Sequence, residues 1–159
     1  MENELYEFSE RLGKWLMAKG KMVATAESCT GGWIAQSLTE VPGSSTWFDR
    51  GFVTYSNSAK TQMLGVKYET LETYGAVSAE TAKEMVLGAL AWSEAHFAIA
   101  VTGIAGPDGG TAEKPVGTVF VAWASKDGVI SVKKNQFKGS RHQIRVQSVQ
   151  LAIQGLTEI

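Results

Sequence analysis

Ala26-Glu27-Ser28-Cys29-Thr30-Gly31-Gly32-Trp33-Ile34-Ala35 joins a strand to a helix, and the rest of the chain is arranged around it. Before this stretch, Met22-Val23-Ala24-Thr25 reads as a short buried strand. After it, Trp33, Ile34 and Leu38 fall on one face of a helix. Small and hydroxyl-bearing side chains therefore occupy a strand-to-helix turn. Open α/β sheets hold their ligands at such turns, beyond the carboxyl ends of the strands. Glycines at 31 and 32 would let backbone N–H groups at the helix start approach a bound group closely. The same residues also suit a plain connection, in which Ser28 or Thr30 is an N-cap and the glycines a tight turn.

Upstream, Leu5, Phe8, Leu12, Trp15 and Leu16 recur at three- and four-residue spacing, which predicts an amphipathic helix over 5–18 stopped by Gly20. Downstream, the second helix is expected to end near Glu40-Val41-Pro42-Gly43, with a loop or helical turn from Ser44 to Asp49. Gly51-Phe52-Val53-Thr54-Tyr55 reads as a second strand. Ser56 or Asn57 then caps a short helix that Gly65 closes, and Lys60 lies on or just past its first turn. A cation there opposes the helix dipole, which hints at a use for Lys60.

A brief helix is expected over 69–74, and a longer one, capped by Ser78, over 79–94. Phe97-Ala98-Ile99-Ala100-Val101-Thr102 is a continuous apolar run, as in a strand buried on both faces. It empties into Gly103-Ile104-Ala105-Gly106-Pro107-Asp108-Gly109-Gly110, whose glycines suit a ligand loop. Val116–Ala124 and Val129–Phe137 flank Lys126-Asp127-Gly128 and predict an antiparallel hairpin. Gly139-Ser140 opens a last helix through about Gln154. Helices interleaved with such strands predict a three-layer α/β/α sandwich with a mixed, mostly parallel sheet.

The length of 159 residues suits a single domain over 1–159, and 44% hydrophobic residues supply a core. A net charge of −1 argues against a nucleic-acid partner. No run approaches the ~18 apolar residues of a membrane span. The start Met1-Glu2-Asn3-Glu4-Leu5 is unlike a signal peptide, and the one cysteine, Cys29, fits a reducing compartment. A cytoplasmic protein without a membrane partner is therefore expected. Trp47, Phe48 or Trp92 would mark a subunit interface in a homo-oligomer, or else belong to the core.

The phosphate-loop and dinucleotide fingerprints are absent, and His96 and His142 lie too far apart in sequence to suggest a metal cluster. No metal or cofactor is expected. Neither histidine stands in a motif with Ser28, so the remaining way to activate a serine is a neutral lysine. Lys60, next to a strand end and five residues after Tyr55, is the candidate. Serine, lysine and tyrosine would then be nucleophile, base and proton shuttle. Cys29 is the rival nucleophile, since a thiol is intrinsically more reactive, but it too needs a base. Tyr55-Ser56-Asn57 also spells a β-lactamase motif, whose Ser-x-x-Lys partner is missing here.

Five motifs in order resemble the CinA C-terminal domain family over nearly the whole chain. They are Ala-Glu-Ser-Cys-Thr-Gly-Gly at 26–32, Gly-Phe-Val-Thr-Tyr-Ser-Asn-Ser-Ala-Lys at 51–60, Gly-Ala-Val-Ser at 75–78, Thr-Gly-Ile-Ala-Gly-Pro-Asp-Gly-Gly at 102–110 and Lys-Pro-Val-Gly-Thr-Val at 114–119. The resemblance implies hydrolysis of nicotinamide mononucleotide to nicotinate mononucleotide and ammonia, in recycling of NAD breakdown products. It places the family's nucleophile, tyrosine and lysine on Ser28, Tyr55 and Lys60. For the substrate, Thr30, Gly31, Gly32, Thr102, Gly103 and Gly106 would offer amides and hydroxyls, with the oxyanion near Gly31-Gly32 or Gly103. Arg141 and Arg145 would meet the phosphate. One departure is Ser140, where relatives often carry an acid after the glycine. A non-catalytic module binding a pyridine nucleotide or ADP-ribose is the alternative the same glycine loops leave open.

Overall fold

Three helices begin at serines that the local sequence marks as caps. Ser56 Oγ accepts from Ala59 N–H at 3.0 Å, and Ser78 Oγ accepts from Thr81 N–H at 3.1 Å. Ser140 Oγ accepts from Gln143 N–H while Gln143 Oε1 accepts from Ser140 N–H, a reciprocal capping box. Each such cap contributes roughly 1 kcal/mol. Ser140 thus supplies the acceptor that an acid would otherwise provide at this helix start.

The computed structural model describes residues 2–159. The elements run α1 (Glu2–Lys19), β1 (Val23–Glu27), α2 (Trp33–Thr39), a 3₁₀ turn (Ser44–Thr46), β2 (Phe48–Val53), α3 (Asn57–Leu64), α4 (Tyr68–Tyr74), α5 (Ala79–Ala91), β3 (Phe97–Gly103), β4 (Thr118–Ser125), β5 (Ile130–Gln136) and α6 (Arg141–Gly155), ending in a second 3₁₀ turn (Leu156–Glu158). The strands form one sheet in the order β2-β1-β3-β4-β5. β1 pairs in parallel with both β2 and β3, whereas β4 is antiparallel to β3 and β5. Four of the five strands therefore point the same way, and the expected three-layer sandwich with a mixed sheet is the observed fold.

The sheet alternates between its two faces with a period of two. Val23, Ile99, Val101, Val119, Val121 and Trp123 join one cluster, with residues of α1, α2 and α6. Ala26, Ala98, Ala100, Ala122 and Ala124 face the other, under α5. Small side chains there let α5 lie close to the sheet. At Gly88 a Cβ would run into the Leu64 carbonyl, so α5 and the end of α3 meet backbone to backbone. Deleting a large buried side chain such as Leu16 costs about 2–5 kcal/mol.

β2 begins at Phe48, three residues ahead of the predicted start at Gly51. It is an edge strand bonded only to β1, so Arg50 can stand in it with its side chain exposed, paired with a part-buried Asp49 that accepts from Glu94 N–H. Trp47, just before it, is 1% exposed and belongs to the core rather than to a surface patch, and Phe48 packs against the same cluster. Of the three aromatics considered for an interface, Trp92 is exposed. The chain leaves β1 outward to β2 and returns to β3 on its other side. That reversal opens a crevice at the carboxyl ends of the three parallel strands.

Candidate functional site

The crevice is a cleft of about 270 Å³ lined by Ser28 and Cys29 after β1, Tyr55 after β2, Asn57 and Lys60 of α3, Ala76 and Val77, residues 102–106 at and beyond the end of β3, Asp108, Gly109 and Arg141. Three chain segments far apart in sequence meet here because parallel strands deliver their carboxyl ends to one side. Thr102 donates from Oγ1 to the Ala76 carbonyl at 2.8 Å, tying the segment before α5 to the end of β3.

Lys60 is 1% exposed, although it carries an amine. Its Nζ lies 3.0 Å from Ser28 Oγ, 2.9 Å from the Thr54 carbonyl and 3.1 Å from the Tyr55 carbonyl. No carboxylate is among these partners, and desolvation holds the lysine below its ordinary pKa of 10.5. A neutral amine has two N–H donors and one lone pair. In that neutral form the two carbonyls would take the donors, which would leave the lone pair for the Ser28 hydroxyl proton. Cys29 behaves oppositely: burial pushes its thiol up to about 12, so it stays protonated at neutral pH.

The glycine pair serves the turn rather than a ligand. Gly31 and Gly32 have φ of 59° and 104°, values that other residues rarely adopt. Contrary to expectation, their amides are occupied. Gly31 N–H donates to the Ser28 carbonyl, and Gly32 N–H to Glu27 Oε1. Neither glycine lines the cleft, nor does Thr30, whose hydroxyl donates to Glu27 Oε1 at 2.6 Å.

A different pair of amides flanks Ser28. Ile104 N–H bonds to the Thr118 carbonyl, so Gly103, one residue back and opposite Val119, sits in the alternate type of antiparallel pair. Its N–H points away from β4, toward the side where β1 has already ended at Glu27. Among the described residues the Cys29 N–H donates to no other residue. A side chain at 103 would collide with Val119.

Arg141 and Arg145, one turn apart on α6, do different things. Arg141 reaches into the cleft, donating to the Gly106 carbonyl at 2.7 Å and to Tyr55 Oη at 3.3 Å. Arg145 stands behind the turn. It donates to the Cys29 and Thr30 carbonyls at 3.1 and 3.2 Å and lies over the Trp33 ring. The structure therefore brings Ser28, Tyr55, Lys60, Thr102, Gly103, Gly106 and Arg141 around one cleft and keeps Thr30, Gly31, Gly32 and Arg145 outside it. His142, exposed on α6, sets its ring at a tilt against Trp33, 5.2 Å between centroids. His96 accepts from Met22 N–H. Among the described residues, no three His, Cys, Asp or Glu side chains gather as a metal site would require.

The CinA C-terminal domain profile matches residues 5–159. The chain belongs to the CinA C-terminal domain family. It is similar to a protein of Enterobacter agglomerans named nicotinamide-nucleotide amidohydrolase PncC, 54% identical over 96% of this chain and 93% of the relative. A protein of the same name in Escherichia coli K12 is 51% identical over 98% and 94%. Among solved structures, the competence/damage inducible protein CihA of Agrobacterium tumefaciens superposes with a TM-score of 0.96 at 50% identity, covering 98% of this chain and 94% of that one. Within the CinA C-terminal frame, the motifs at 26–32, 51–60, 75–78 and 102–110 all contribute residues to the cleft. Glu27 went unnoticed, although strand alternation from Val23 through Thr25 already turns it toward α2. Asp108, a carboxylate on the cleft wall, carried no signal of its own.

No helix among the described residues is long and apolar enough to cross a membrane.

Proposed function

We propose that this protein hydrolyses the carboxamide of nicotinamide mononucleotide, giving nicotinate mononucleotide and ammonia. The observation that carries the reading is Lys60 Nζ, 3.0 Å from Ser28 Oγ, buried and bonded otherwise to carbonyls alone. The relatives named nicotinamide-nucleotide amidohydrolase, at 51–54% identity over nearly the whole chain, support the substrate.

Ser28 Oγ attacks the carboxamide carbon as its proton passes to Lys60 Nζ. The oxyanion forms between the Cys29 and Gly103 N–H groups, and each such donor is worth ~10²–10³ in rate. The C–N bond breaks once its nitrogen takes a proton, carried from the Lys60 ammonium by Tyr55. Ammonia leaves, and the nicotinoyl group remains as an ester on Ser28. Water then attacks that ester with Lys60 again as base, which restores the serine and frees the carboxylate. Arg141, at the mouth beside Gly106, meets the phosphate.

Purified protein is incubated with nicotinamide mononucleotide, and ammonia and nicotinate mononucleotide are measured. Stoichiometric release by the wild type and none by Ser28→Ala is the expected result. Wild-type release no greater than that of Ser28→Ala would remove the reading.

A further inference from the structure

Glu27 is 1% exposed, and its carboxylate takes four donors. Thr30 Oγ1, Gly32 N–H and Ile34 N–H converge on Oε1 at 2.6, 3.2 and 2.9 Å, and Ala35 N–H reaches Oε2 at 3.0 Å. These amides open α2, whose Gly32 cap offers no side chain. A carboxylate only accepts, so it suits a ring of N–H and O–H donors, and it lies at the positive end of the helix. Arg145 meets the opposite need by donating to the carbonyls of Cys29 and Thr30. The five residues after β1 are thus gripped through their donors by Glu27 and through their carbonyls by Arg145. No part of either group lines the cleft.

We propose that Glu27 is a positioning residue: its carboxylate holds the turn so that Ser28 Oγ stays over Lys60 Nζ. The inference rests on the amidase reading for its kinetic part only. Glutamine at 27 is nearly isosteric but carries an NH₂ where Oε1 or Oε2 accepts. One set of donors would then face another donor, and the turn must shift. A misplacement near 1 Å in a reacting pair costs on the order of 10² in rate.

The test compares wild type with Glu27→Gln. Steady-state kinetics on nicotinamide mononucleotide give kcat and KM separately. The rate of Ser28 labelling by a fluorophosphonate, followed by mass spectrometry, reports serine reactivity without the substrate. Circular dichroism and a urea titration give the folded fraction. The expected result is a kcat lower by about 100-fold with KM within about 3-fold, and a comparable fall in labelling rate, in protein still folded under assay conditions. A kcat within 3-fold of wild type would overturn the proposal, as would a loss no larger than the unfolded fraction. If wild type releases no ammonia the amidase reading fails by itself, and the labelling rate decides alone: a fall upholds the role of Glu27 and an unchanged rate refutes it.

Discussion

Lys60 and Ser28 meet 3.0 Å apart although 32 positions separate them, and the lysine amine makes its two other bonds to the carbonyls of the loop that carries it into place. The lysine is therefore also the clasp of the turn between β2 and α3. With desolvation disfavouring its charged form, the pair can move a proton at a pH where a free lysine could not.

On the proposed mechanism the nucleophile is Ser28 and not its neighbour. Ser28→Ala should lower kcat/KM by at least about 10³-fold. Cys29→Ala should retain activity within about 3-fold, at a stability cost of ~1 kcal/mol for a small buried group. Ammonia release by each variant distinguishes them, and an active Ser28→Ala with a dead Cys29→Ala would reverse the assignment.

Lys60→Arg should be nearly as inactive as Lys60→Ala, because a guanidinium keeps its proton. For wild type, kcat/KM should rise with pH and level off at a midpoint below 10.5. Stability carries the same sign. The unfolded lysine binds a proton more tightly than the native one, so stability falls as pH drops from 10.5 through the lowered native value. Lys60→Met should remove that slope in urea titrations from pH 7 to 10.

Arg141→Ala should raise KM for nicotinamide mononucleotide by about 10-fold or more, since charge-assisted bonds to phosphate are among the strong ones. With the nucleoside lacking its phosphate, wild type and Arg141→Ala should react alike. A full effect on both substrates would place Arg141's role in holding Tyr55 and Gly106 instead.

His96 makes the fold acid-sensitive. Its Nδ1 accepts from Met22 N–H at 3.1 Å, which a protonated imidazole cannot do. Desolvation, then Lys21 and Lys126, lowers its pKa below 6.5 in the native state. Stability is therefore complete above 6.5 and is lost as pH falls through the native value. His96→Gln should flatten the change in urea midpoint between pH 7 and pH 5.

Most of the fold was legible because it is written locally. Ser56, Ser78 and Ser140 announce their helices, and Lys126-Asp127-Gly128 announces the β4–β5 hairpin. Lys60 could be singled out as the lysine beside a strand end, at a helix start that disfavours a cation. What stayed hidden depends on distant partners. Arg145 looked like a phosphate ligand until its carbonyl acceptors, 116 and 115 positions away, came into view. The amides of Gly31 and Gly32 looked available because nothing nearby shows that Glu27 fills the start of α2. The outward direction of the Gly103 N–H follows from pairing with β4, a register that no local pattern carries.

The bare backbone contact between Gly88 of α5 and Leu64 of α3 reaches further than its size suggests. α3 has no large apolar stripe to seat it elsewhere, and Lys60 stands one turn before Leu64 on the same rigid rod. A single methyl group at 88 is then a wedge, driven in on the side of the sheet away from α6 and translated along the rod to the amine. The tolerance of the reacting pair is set in the packing of two helices, so a substitution there will read as a broken catalyst in a protein whose cleft residues are all intact.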